Sequence, residues 1–158
     1  MQLDFFAPDE SESTREKAPL ASRMRPVDLE QYQGQEHLLG AGKPLRRLLE
    51  SGRLSTSLIF WGPPGCGKTS LAHLVSRQLH MAWETLSAVD SGVKELRAVA
   101  DRARQRSQST LLFIDEIHRY SKTQQDALLP HVEAGLVQLI GATTEDPYGS
   151  LSPALPNR

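Results

Sequence analysis

The chain has 158 residues, a formal net charge of −1, 39% hydrophobic residues and one cysteine. That length suits a single domain with a real core, and the near-neutral balance gives no bulk electrostatic signal of a nucleic-acid partner. A lone thiol excludes an internal disulfide framework and favours a reducing compartment. No run approaches the roughly 20 apolar residues that span a bilayer, and Met1 to Phe6, followed by acidic residues, does not read as a signal peptide. The expectation is a soluble, cytoplasmic protein with no membrane association.

From Ala7 to about Pro19 the residues are polar, proline-rich and without periodicity. Residues 1–19 are therefore expected to form a disordered tether, and 20–158 one folded unit. Pro44 opens a short helix that Gly52 can end. The apolar run Ser57 to Trp61 reads as a strand, and the segment after it is Gly62-Pro63-Pro64-Gly65-Cys66-Gly67-Lys68-Thr69, then Ser70. Strand, glycine-rich loop and amphipathic helix in this order form a phosphate-binding loop. The glycines let backbone N–H groups converge on phosphate oxygens, and the helix presents its N-terminal donors to the same anion. Gly62 to Ser70 are thus candidates for binding a nucleoside triphosphate, ATP, with Lys68 on the β- and γ-phosphates and Thr69 on Mg²⁺. Cys66 reads as a filler whose side chain turns away from phosphate, without a partner base that would make it a nucleophile.

The helix after the loop carries Leu71, Ala72, Leu74, Val75 and Leu79 at helical spacing. A strand over Met81 to Leu86 follows, then a helix capped by Ser91 with Val93, Leu96, Val99, Ala100 and Ala103 on its buried face. Thr110 to Ile114 is a continuous apolar run of the kind buried on both faces of a parallel sheet, and it ends in Asp115-Glu116. At the C-terminal edge of such a strand Asp115 is placed to hold Mg²⁺, and Glu116 to polarise the water attacking the γ-phosphate. Ser121 with Gln124 forms a capping box for the next helix. Leu136 to Ile140 reads as the last strand, closing on Gly141-Ala142-Thr143-Thr144-Glu145. Strands alternating with helices predict an α/β, three-layer P-loop NTPase core around a parallel sheet.

Other features carry plainer readings. Arg97, Arg102, Arg104 and Arg106 form a row that could face DNA, but three of them end a helix, where the dipole favours cations; a solvated face is the expected reading. His118 is expected to be a surface or hydrogen-bonded histidine, with nucleotide sensing as the alternative. Trp61 and Trp83 are expected in the core.

Several blocks are far more specific than a phosphate loop. Ala21 to Pro26, Gly34 to Leu39, the Gly-Pro-Pro-Gly loop, Ser87 to Glu95, Asp115-Glu116-Ile117-His118-Arg119, Gln124-Gln125-Asp126 and Gly141 to Glu145 together resemble the bacterial RarA (MgsA) family of AAA+ ATPases. The resemblance runs from about Leu20 to the end. It implies the AAA+ large subdomain, related to clamp loaders and to the RuvB branch-migration motor, and an ATPase acting on DNA at stalled replication forks as a homo-oligomer. By the same resemblance, Arg25 and Pro26 belong to the adenine-side box, where Gln33 replaces an apolar residue. Thr144 is the sensor residue for the γ-phosphate or attacking water, with Thr143 the second candidate, and Arg158 aligns with the arginine finger although Pro156 and Asn157 precede it. Such proteins continue into a helical lid, absent here, so the unit over 20–158 is expected to be a core truncated before that lid.

Two other functional classes stay open. Asp115-Glu116-Ile117-His118 also fits the box of Asp-Glu-x-His helicases, and a core without lid or neighbour is compatible with a nucleotide-binding or interaction module that no longer turns over. The N-terminal Gln2-Leu3-Asp4-Phe5-Phe6 resembles the clamp-binding peptide of bacterial replication proteins, which implies a sliding-clamp partner for Gln2 to Phe6.

Overall fold

The computed structural model describes residues 40–147. The expected tether over 1–19, Gln2 to Phe6, the Arg25-Pro26 box and Arg158 lie outside the described residues. Within them the order is α1 (Pro44–Glu50), β1 (Leu58–Trp61), α2 (Lys68–Gln78), β2 (Ala82–Ser87), α3 (Val93–Gln105), β3 (Thr110–Asp115), a 3-10 turn (Ile117–Arg119), α4 (Lys122–Glu133) and β4 (Val137–Thr143). All four strands are parallel, in the order β1-β4-β3-β2. The α/β three-layer expectation holds, with helices on both faces.

The two cores follow from alternation along the strands. Leu111 and Phe113 of β3 join Ile140 and Ala142 of β4 beneath α1 and α2, against Leu45, Leu49, Leu71, Leu74 and Val75. Leu112 and Ile114 join Val137 and Leu139 on the other face, against Leu96, Val99 and Ala103 of α3 and Leu128 of α4. Because β3 is covered on both sides its apolar run needs no alternation, which is why it reads as continuous. Burying a side chain such as Phe113 or Leu74 contributes about 1.5–3 kcal/mol.

Helix boundaries agree with the capping chemistry in two places and shift in one. Gly52, at φ 72°, follows α1. Ser121 caps α4, its hydroxyl accepting from the Gln124 N–H at 3.2 Å while Gln124 Oε1 accepts from the Ser121 N–H at 2.8 Å. The cap of α3 is Gly92 instead of Ser91, and Val93 is only half-buried. Glu95 takes the Gly92 N–H at 2.8 Å, while the Ser91 hydroxyl is drawn away to the Ser87 carbonyl and the buried Tyr120 hydroxyl.

Two further expectations are corrected. β4 does not close before Gly141 but runs through it to Thr143, pairing with both neighbours there. A Cβ on Gly141 would sit 2.9 Å from Ile117 Cδ1 and 3.0 Å from Ile59 Cδ1, so this glycine serves close packing and not a turn. Trp61 is 59% exposed at the C-terminal end of β1 and is no core residue. Trp83 meets the expectation better, stacked between His73 and Phe113.

Candidate nucleotide site at the sheet's C-terminal edge

Residues 62 to 67 leave the tip of β1 and double back into α2. The Gly62 N–H donates to the Thr143 carbonyl at 3.1 Å, which ties the loop's first residue to the tip of β4. Gly65 and Gly67 sit at φ 76° and 93°, the left-handed region that favours glycine, and a Cβ on Gly62 would lie 2.9 Å from Cys66 Sγ. Gly67 is the cap of α2 and no side chain caps that helix, whose first residues are Lys68, Thr69 and Ser70. The opening turn therefore directs backbone donors and the positive end of the helix dipole toward the concave side of the loop.

Lys68 Nζ donates to the Gly62 carbonyl at 2.8 Å and the Pro63 carbonyl at 2.9 Å. Its third neighbour is Cys66 Sγ at 3.7 Å. The sulfur packs on Gly62 and faces the ammonium, because the glycine leaves that space open.

Across β4, Asp115 ends β3 one step beyond the Ile114–Gly141 pair, on the same edge as the loop. Its Oδ1 accepts from the Glu116 N–H at 3.0 Å. Glu116 itself adopts φ 53°, ψ 43°, a left-handed backbone that costs a non-glycine residue roughly 1–2 kcal/mol. Such strain persists only where the surroundings fix it. The kink starts the 3-10 turn and leaves the carboxylate half-buried. Glu116 Oε2 accepts from the Thr144 hydroxyl at 3.3 Å and faces His118 Nε2 at 3.3 Å.

The sequence-predicted residues Gly62 to Ser70, Asp115, Glu116 and Thr144 therefore share one edge, and Glu116 and Thr144 are in contact. Sequence reasoning undervalued two others. Thr143, fully buried, bonds His118 Nδ1 at 2.8 Å and the Glu145 backbone at 3.0 Å, so its hydroxyl is committed to structure. The His118 side chain is 4% exposed and bridges Thr143 to Glu116. The usable signal was its offset: one tight turn after Asp115 returns His118 to the strand ends.

The arginine row of α3 behaves as a structural face. Arg102 and Arg106 both pair with Glu84 of β2, and Arg104 with Asp101.

The residues fit a nucleoside triphosphate with a magnesium ion. The loop offers glycine-lined space, unhindered helix-terminal donors and one cation, while Asp115 and Thr69 supply hard oxygen ligands. Mg²⁺ keeps several waters and shares its shell with phosphates, so one or two protein oxygens are enough to hold it. No helix among the described residues is long and apolar enough to cross a membrane.

Comparison with known proteins agrees with this geometry. The family model described as ATPase family associated with various cellular activities (AAA) matches residues 58–158. Replication-associated recombination protein A of Haemophilus influenzae is 53% identical over 143 residues, covering 89% of this chain and 32% of that protein. The Escherichia coli protein of the same name is 55% identical over 143 residues, again covering 89% of this chain and 32% of the relative. The chain thus spans about a third of the length of these relatives. Among solved structures, the RuvB Holliday junction branch migration motor of Thermotoga maritima superposes with a TM-score of 0.67 at 31% identity, over 85% of this chain and 46% of that one. The chain belongs to the AAA family of ATPases, and within it is similar to the AAA portion of replication-associated recombination protein A.

Proposed function

We propose that the chain is the ATP-binding and hydrolysing core of a DNA replication and recombination factor that acts at stalled forks. The carrying observation is the Glu116 carboxylate, kinked off the end of β3 and held by Thr144, on the edge where the glycine loop meets β4. In the proposed reaction a water oxygen attacks the γ-phosphorus and the bond to the ADP oxygen breaks. Glu116 orients that water and takes its proton. Thr144, already bonded to Glu116, is poised to sense the same water or the γ-phosphate. Lys68 and the first N–H groups of α2 bear the phosphate charge. Thr69 and Asp115 would hold Mg²⁺, which when bound neutralises phosphate charge and polarises the transferred group.

The wider assignment rests on relatives named for replication-associated recombination and branch migration. From them we take DNA as the partner, a homo-oligomer as the working form and the cytoplasm as the location. Arg158 would serve as the finger reaching a neighbour, Arg25 and Pro26 as the adenine-side contact, and Gln2 to Phe6 as a sliding-clamp peptide. AAA membership leaves the Asp-Glu-x-His helicase alternative without support.

Lys68→Ala tests the site. It removes the ammonium that neutralises phosphate, two charge-assisted contacts worth about 1.5–3 kcal/mol each, so Mg-ATP should bind at least about 100-fold more weakly. Calorimetry showing parental affinity in a folded Lys68→Ala protein would remove the phosphate loop from the assignment.

A further inference from the structure

We infer that His118 is a positioning residue for Glu116, fixing the carboxylate against the tip of β4. The inference rests on the reading of Glu116 as the base that activates water. His118 is buried in the polar cluster around Glu116, second only to Thr143, at 4% exposure against 31% for Glu116 and 62% for Glu145. Three groups face the ring: the Thr143 hydroxyl at 2.8 Å from Nδ1, Glu116 Oε2 at 3.3 Å from Nε2 and Glu145 Oε1 at 3.7 Å from Nε2.

Carboxylate oxygens only accept, so the tautomer that can hold Glu116 carries hydrogen on Nε2; Nδ1 then shares the one Thr143 hydroxyl proton with the Glu145 carbonyl. The imidazole therefore acts as a rigid spacer between a buried strand end and a half-exposed carboxylate. Both side-chain contacts of Glu116, from His118 and from Thr144, fall on Oε2. With one oxygen clamped from two sides, Oε1 is the oxygen turned to the water. The same spacer connects with the loop, because the Thr143 whose hydroxyl holds His118 accepts the Gly62 N–H through its carbonyl.

The left-handed backbone of Glu116 makes such a clamp necessary. A residue in a sparsely populated conformation relaxes unless its side chain and its neighbours hold it, and a misplacement of about 1 Å at a reacting group costs on the order of 100-fold in rate.

The test uses the full-length protein, measuring steady-state Mg-ATP turnover, equilibrium binding of a fluorescent ATP analogue and the melting temperature. His118→Asn keeps an amide at the level of Nδ1 but withdraws the donor from Glu116, whereas His118→Gln restores an amide N–H at the reach of Nε2. His118→Asn should lower kcat about 100-fold while nucleotide affinity stays within about threefold, and His118→Gln should recover most of the loss. In a Glu116→Gln background His118→Asn should cost nothing further, since a residue acting only through Glu116 has nothing left to position. Equal losses in Asn and Gln variants, losses that track weakened binding or melting, or additive losses on Glu116→Gln would each overturn the inference. If Glu116→Gln turns over like the parent, the base reading falls and takes this one with it; if Glu116→Gln is slow and His118→Asn is not, only the positioning role is lost.

Discussion

Glu84 and Glu116 are glutamates of the same sheet with opposite surroundings. Glu84, in the middle of β2, has its two oxygens forked by Arg102 at 2.9 and 2.8 Å and capped by Arg106 at 2.8 Å. The Arg102 guanidinium, bonded to the carboxylate, holds it below the usual range, with Arg106 adding to the effect against the opposing cost of burial. Glu116, past the end of β3, meets a hydroxyl and an imidazole, and its backbone is strained where that of Glu84 is extended. A carboxylate saturated by two cations has its proton affinity spent on structure. One held by a hydroxyl and an imidazole on a single oxygen keeps the other oxygen as an acceptor for chemistry. Ending the strand one residue before the carboxylate, with a kink, separates these two uses.

The largest effect expected from that difference is on turnover. Glu116→Gln keeps shape and both neighbours but removes the acceptor of the water's proton, so kcat should fall by about 10²–10⁴ with Mg-ATP affinity retained. Glu84→Gln should leave kcat of the folded protein where it was. Phosphate release from the two variants, normalised to the folded fraction, decides the matter: comparable losses in both would mean that Glu116 acts through stability as Glu84 does.

How far the sequence exposes this arrangement depends on the range of the cause. The phosphate loop, the β3 run and the Ser121 cap were legible because each is set by neighbours within a few residues. Gly141 was not. In the sequence it marks the point where the last strand closes, yet its reason lies in Ile117 and Ile59, side chains from two other parts of the chain. The same holds for Ser91, diverted by Tyr120 across 29 residues, and for the Arg102–Glu84 fork across 18. Trp61 followed hydropathy in the sequence, but the strand carries it past the packed part of the sheet, where no neighbour covers most of the ring.

Gly141→Ala sharpens that point, being a change of one methyl group at a residue the sequence misassigned. The added carbon would press on Ile117 at 2.9 and 3.1 Å and Ile59 at 3.0 Å. Ile117 lies between Glu116 and His118, so the strain reaches the kink directly. Overpacking of this kind destabilises by about 1–3 kcal/mol. Urea unfolding should show that loss; a variant as stable as the parent would mean that Ile117 and Ile59 do not require a glycine at 141.

The smallest effect is the pH dependence of the Glu84 fork. A carboxylate whose folded pKa lies below its unfolded value contributes stability above the unfolded pKa and loses it as pH falls through the folded one. For Glu84, lowered from 4.5, the contribution is present near neutrality and disappears below about pH 4.5. The Arg102 side chain is 49% exposed and solvent screens it, so the fork is worth no more than about 1 kcal/mol. Glu84→Gln should therefore be about 1 kcal/mol less stable than the parent at pH 7, a gap that narrows on acidification as the parent's own carboxylate takes up its proton. Added salt should narrow it as well, because the exposed guanidinium is open to counterions. Chemical unfolding of parent and variant between pH 7 and pH 3 reads this directly. A gap that stays constant over that range would mean that the pair stabilises by packing of the arginine stems over β2, and the electrostatic half of the comparison with Glu116 would have to be given up.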